Sequence, residues 1–129
     1  MAQGTKKILI VDDDDFLVDV YASRFREAGF DVDVALSGDV AIEKLKAGFN
    51  PDVVTLDVMM PRANGFDVLS TIQKEQLMKK GIVVMISNIA GKHDIQKGLR
   101  MGARAYFVKI NHTPAQIVGR VEKLLEHKT

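Results

Sequence analysis

Four consecutive aspartates, Asp12 to Asp15, directly follow the apolar run KKILIV at residues 6–11 of this 129-residue chain. Other apolar runs also end in polar residues: DVVTL at 52–56 precedes Asp57, IVVMI at 82–86 precedes Ser87, and RAYFVK at 104–109 closes on Lys109. Taken singly, each has an ordinary explanation. Carboxylates ahead of a helix cap its amides and complement its dipole, a reading that stays open for Asp14 and Asp15 above all. Asp57 alone could be a turn former before MMPRANG. Taken together, Asp12, Asp13 and Asp57 would repel one another, and one would take up a proton unless a cation sat among them. Mg²⁺ suits a site with oxygen donors and no His or Cys, and is often held by one or two carboxylates plus a phosphate. Lys109 offers a point charge and Ser87 a hydroxyl. A carboxylate can attack phosphorus without a general base, so these residues read as a site that holds a phosphoryl group. His93, His112 and His127 lie away from the strand ends and are expected to be solvated surface residues.

For those side chains to meet, the runs that precede them must be strands of one sheet. Five runs rich in Val and Ile recur, the fifth being DVDVAL at 31–36, and each reads as a strand. Between them stand residues at helical spacing: Leu17, Val20, Tyr21, Phe25 and Ala28, then Val40, Ile42 and Leu45, then Phe66, Leu69 and Ile72. A last helix carries Ile117, Val121 and Leu124 on one stripe. Gly29, Gly48, Gly81 and Gly102 each stand where a helix is expected to stop. Ser37 is placed to cap the second helix, and Thr113, Pro114 and Gln116 suggest a cap, a first-turn proline and a capping box. The fourth helix, from about Lys92 to Met101, contains Gly98 and few apolar anchors, so it is expected to be marginal alone and comparatively mobile. Short, almost wholly apolar strands alternating with helices imply a parallel sheet covered on both faces, an open α/β architecture. Sites in such sheets lie at the carboxyl ends of the strands, where the strand order reverses.

Composition narrows the function classes. With 47% hydrophobic residues the chain can bury one core, and a single domain over residues 1–129 with its core in 6–126 is expected. The absence of cysteine excludes thiol catalysis, disulfides and thiolate metal sites. A formal net charge of +1 gives no broad footprint for nucleic acid. Apolar runs too short to span a bilayer, and an N-terminus MAQGTKK without a long apolar stretch, point to no membrane insertion and a cytoplasmic location.

The motifs ILIVDD ending at Asp13, TLDVMMPRANG around Asp57, MISN around Ser87 and AYFVK ending at Lys109 together resemble the response-regulator receiver domains, particularly the single-domain chemotaxis-type regulators. The resemblance covers residues 6–126 and implies a flavodoxin-like (βα)5 doubly wound fold, with a parallel five-stranded sheet in the order 2-1-3-4-5. It further implies that Asp57 is the phosphoacceptor and that Asp12, Asp13, Asp57 and the backbone carbonyl of Met59 hold Mg²⁺. Ser87 would bind a phosphoryl oxygen, Lys109 would pair with phosphate and acceptor, and Tyr106 would be an aromatic switch partnered to Ser87. By residues alone, Tyr106 reads rather as an ordinary half-buried strand aromatic. Pro61 and Gly65 match the loop after the acceptor.

The implied function is a phosphorylation-activated, non-enzymatic switch of a two-component system or phosphorelay. It would be charged by a sensor histidine kinase or histidine phosphotransfer protein, and read by a downstream target protein at the fourth helix, fifth strand and fifth helix. Homodimerisation on phosphorylation is compatible with it. Because the sequence ends soon after the last helix, near His127, output by protein contact is expected, from a stand-alone regulator or from a receiver within a larger protein. Two residues depart from the family pattern: Ile110 stands where proline commonly follows the lysine, which makes a cis bond there costly, and Asn88 stands where a small residue is usual. Three rivals stay open. A phosphorylation-independent receiver-like module would keep the fold, a Mg²⁺-dependent phosphohydrolase would need an acid where Met59 stands, and a flavin module would need a less acidic first loop.

Overall fold

In the computed structural model, which describes residues 4–126, strands and helices alternate through the chain. They are β1 (Lys7–Val11), α1 (Asp15–Glu27), β2 (Asp31–Ala35), α2 (Gly38–Lys46), β3 (Val53–Leu56), α3 (Gly65–Lys74), β4 (Ile82–Ser87), α4 (Lys92–Arg100), β5 (Ala105–Val108) and α5 (Pro114–Glu126). A single 3₁₀ turn, Lys109–Asn111, separates β5 from α5. All the strand pairings are parallel, in the order β2-β1-β3-β4-β5. The expected flavodoxin-like order is therefore what the chain adopts, with each strand bound within about a residue of its apolar run.

Alternation along the strands sends neighbouring side chains to opposite faces, and both faces are buried. Ile8, Ile10, Val84 and Ile86 pack with Val18, Phe25, Ile117 and Val121 beneath α1 and α5. Leu9, Val11, Val54, Leu56 and Met85 pack with Leu45, Phe66, Leu69 and Ile72 beneath α2 and α3. This two-sided burial explains strands that read as continuous apolar runs.

Helix starts follow local chemistry. Asp14 caps α1 by accepting from the amides of Phe16 and Leu17 at 3.1 and 3.2 Å, which settles its role. Ser37 accepts from Val40 at 3.2 Å, and Thr113 and Gln116 exchange reciprocal bonds of 3.1 and 2.9 Å, so both expected caps form. A further capping box at α3, between Asn64 and Asp67, was not foreseen. Gly29, Gly48 and Gly102 follow helix ends with positive φ as expected, whereas Gly81, also at positive φ, stands just before β4 rather than at the end of α3. Helix α3 stops at Lys74, Gln76 takes the left-handed conformation just past it with φ 52°, and Gly81 instead turns the chain into β4. Helix α4 buries only Gly98 along its length, in keeping with its few apolar anchors.

Candidate functional site

The strand order reverses at β1 and β3, and the acidic residues stand at the carboxyl ends of those two strands. Backbone pairing fixes both: the Asp12 amide donates to Ala35 at 3.2 Å and the Asp57 amide to Val11 at 3.0 Å. Asp12 and Asp57 are buried and Asp13 is exposed, yet each offers a carboxylate oxygen within 4.8 Å of the others. From the end of β5, the Lys109 ammonium reaches across to Asp12 at 2.8 Å and Asp57 at 3.0 Å. The absence of proline at 110 therefore does not displace the lysine, and no peptide bond among the described residues is cis.

Electrostatics at this edge are strained in a way that invites a cation. Burial pushes the Asp12 carboxyl up, and the neighbouring Asp57 adds to it, although the Lys109 ammonium and the Asp14 amide oppose the rise. Burial alone would lower the Lys109 ammonium, but its bond to Asp12 and the charge of Asp57 hold it above its ordinary value. One ammonium faces three carboxylates built wholly of oxygen donors. That donor set fits a hard divalent ion such as Mg²⁺.

The other expected residues surround this cluster. Ser87, fully buried at the end of β4, accepts from the Ile89 amide at 3.2 Å. The Met59 amide donates to Asp57 at 3.2 Å, which brings the backbone of residue 59 alongside that carboxylate. Tyr106 is half-buried in β5, and its hydroxyl donates to the Ile89 carbonyl at 2.6 Å, so the strand aromatic is also tied to the loop that follows Ser87. Burial raises its phenol above the ordinary value, with the Ser87 hydroxyl acting in the opposite sense.

Gly65 lies at the mouth of α3 so close to the segment that follows β3 that a Cβ there would stand 2.4 Å from the Asp57 carbonyl oxygen. Asn88 makes a contact that sequence reasoning missed: its side-chain oxygen accepts from the Ile110 amide at 3.1 Å. His93 is exposed as expected, but His112 is not a solvated residue. It is half-buried, edge-on to Phe107 at 5.2 Å, with Nδ1 3.0 Å from the Val108 carbonyl. The turn after β5 brings this ring back against the strand it has just left, a tertiary fact that local polarity does not signal. His127 lies outside the described residues.

Fold and strand-edge residues together define an open, doubly wound α/β protein with an acidic, lysine-bridged oxygen site at its switch point. The family model for the response regulator receiver domain matches residues 8–122, and the chain belongs to that family. Over 120 residues it is 32% identical to the alkaline phosphatase synthesis transcriptional regulatory protein PhoP of Bacillus subtilis, a match covering 93% of this chain and 48% of PhoP. It is 33% identical over 118 residues to the response regulator SaeR of Staphylococcus aureus, covering 92% of this chain and 50% of SaeR. The chain thus spans about half the length of these curated relatives. The receiver domain of a Francisella response regulator superposes with a TM-score of 0.85 at 27% identity, covering 95% of this chain and 98% of that one. Receiver domains of two-component systems are in general signalling modules rather than enzymes. Among the described residues, no helix is long and apolar enough to cross a membrane.

Proposed function

We propose that this receiver accepts a phosphoryl group on Asp57 from a phosphohistidine of a sensor histidine kinase or histidine phosphotransfer protein, and signals by protein contact. The observation that carries this reading is the Lys109 ammonium shared between Asp12 and Asp57 inside a cluster of three carboxylates. A carboxylate oxygen of Asp57 attacks phosphorus, the phosphorus–nitrogen bond breaks, and the imidazole departs as the acyl phosphate forms. Water later attacks phosphorus and releases inorganic phosphate, restoring the carboxylate. Lys109 places its charge against the oxygens of the transferred group, and Ser87 turns its hydroxyl toward one of them. Asp12, Asp13, Asp57 and the backbone carbonyl of Met59 would hold Mg²⁺, which when bound supplies the remaining neutralising charge.

Drawing Ser87 toward the phosphoryl group shifts the loop that also receives the Tyr106 hydroxyl, so Tyr106 is read as the switch and α4, β5 and α5 as the face a target protein recognises. A single receiver domain with its core in residues 6–126, acting in the cytoplasm, belongs to the same proposal. Intact-protein mass spectrometry after incubation with acetyl phosphate, with and without Mg²⁺, tests it beside Asp57→Asn. One Mg²⁺-dependent phosphoryl adduct that is absent from the variant supports the reading. An unmodified wild-type protein refutes it in favour of a phosphorylation-independent binding module, and steady turnover of phosphate esters would restore the phosphohydrolase.

A further inference from the structure

We infer that Asn88 is a positioning residue for Lys109, acting through the backbone amide of Ile110; the inference rests on the proposed role of Lys109 in phosphoryl acceptance. The two residues that depart from the family pattern are bonded to each other. Isoleucine at 110 carries an N–H that proline would lack, and the peptide before it is trans. That N–H belongs to the middle residue of the one-turn 3₁₀ segment Lys109–Asn111, where leading amides find no partner within the turn. Val108, at the head of the turn, supplies no side-chain bond. The partner comes from 22 residues away, as the Asn88 side-chain oxygen at 3.1 Å. Ile110 is 80% exposed and so gives the turn little packing of its own.

The neighbours of Asn88 show what this bond joins. Ser87 is held in its own loop by the Ile89 amide, and the Ile89 carbonyl holds the Tyr106 hydroxyl. The β4–α4 loop is therefore fastened to β5 at Tyr106 and, by Asn88, to the turn just beyond it. Lys109 is the residue immediately before the fastened amide, and its ammonium bridges Asp12 and Asp57. A displacement of Ser87 is thus carried to the backbone of Lys109 as well as to Tyr106, and the lysine is held in place without the usual proline.

Amide hydrogen exchange and a double-variant cycle test this. In the wild-type protein the Ile110 amide is expected to be protected, and in Asn88→Ala to exchange about fivefold faster, with the β5 amides unchanged. The initial rate of phosphoryl acceptance from acetyl phosphate with Mg²⁺ is expected to fall about fivefold in Asn88→Ala, and by less than about twofold when the same change is made in Ile110→Pro, where the N–H is gone. An Ile110 amide that exchanges alike in wild type and Asn88→Ala overturns the inference, whether or not Ile110→Pro folds. An equal loss of rate in both backgrounds also overturns it, since Asn88 would then act directly on the phosphoryl group. A wild-type protein that takes no phosphoryl group refutes the proposed function instead, and the exchange comparison still decides whether the bond exists.

Discussion

Lys109 is the side chain on which the acidic edge turns. Its ammonium is the one cationic group bonded to Asp12 and Asp57 among the described residues, and burial of both carboxylates makes that charge hard to replace by water. Replacing it as Lys109→Met is expected to slow phosphoryl acceptance at Asp57 by about 10²–10³-fold, in the range found when a preorganised electrostatic donor is removed. Lys109→Arg is expected to rescue little, because a planar fork cannot take the place of a compact ammonium between two carboxylates. Initial rates followed by intact mass measure both, and a methionine variant within about threefold of wild type would remove Lys109 from the chemistry. The same cluster predicts a linked effect on folding. A ligand that binds only the folded chain stabilises it by about 2.7 kcal/mol at a hundred times its dissociation constant. Mg²⁺ should therefore raise the thermal midpoint of the wild-type protein, while Asp13→Asn, which removes the exposed carboxylate of the cluster without touching the Lys109 bridge, should respond only at higher Mg²⁺ concentration.

At the scale of elements, close approach decides what can stand between strand and helix. A Cβ on Gly65 would meet the Asp57 carbonyl oxygen at 2.4 Å and the Val58 Cα at 2.8 Å, both of them backbone atoms that cannot swing aside. Gly65→Ala is expected to lower the urea unfolding free energy by about 3 kcal/mol and to impair phosphorylation together with it, since the helix must retreat from the acceptor segment. Gly98 poses a subtler case. Alanine would gain up to about 1 kcal/mol of helix propensity, yet its Cβ would stand 2.7 Å from the Met85 sulfur and 3.4 Å from the Tyr106 ring. This explains why the fourth helix was legible in the sequence while the reason for its glycine was not: the residue that weakens the helix in isolation is the one that lets it approach β4 and β5. Strands were legible because burial on both faces leaves only apolar residues between turn signals, and the strand-end residues because parallel pairing brings those ends to one edge. Contacts fixed by loop geometry were hidden, among them Asn88 with Ile110 and His112 against Phe107. The end of α3 was misplaced because the left-handed position just past it is taken by Gln76, a residue that carries no turn signal of the kind glycine gives.

Across the whole molecule, the edge of the sheet opposite the site carries its own carboxylate. Asp52 is buried at the start of β3, accepts from the Lys7 amide at 2.8 Å, and pairs with Lys80 at 3.4 Å. Backbone bonds there join Asp52 to Lys7 and Ile82 to Asp52, so the amino ends of β1, β3 and β4 converge on this residue. Burial alone would raise the Asp52 carboxyl, but the Lys7 amide and the Lys80 ammonium outweigh it and hold the group below its ordinary 3.8. A carboxyl depressed on folding contributes stability that is fully present above its unfolded pKa and is lost as pH falls through the lower, folded value. Asp12 acts in the opposite sense, because its raised carboxyl favours the folded state more strongly as acid protonates it. The overall acid profile therefore mixes the two, and only a variant difference isolates Asp52. Asp52→Asn is expected to be less stable than wild type by about 1 kcal/mol at pH 7, where an ionised acceptor is exchanged for a neutral one. That gap should close as pH falls below 3.8 and the wild-type carboxyl becomes neutral as well. Urea midpoints of the two proteins in Mg²⁺-free buffer measure it, and a gap independent of pH would mean that Asp52 holds the sheet by shape alone. Since this tether lies at the far end of the strands from Asp57, the variant is expected to accept a phosphoryl group at the wild-type rate, which separates loss of stability from loss of chemistry in one protein.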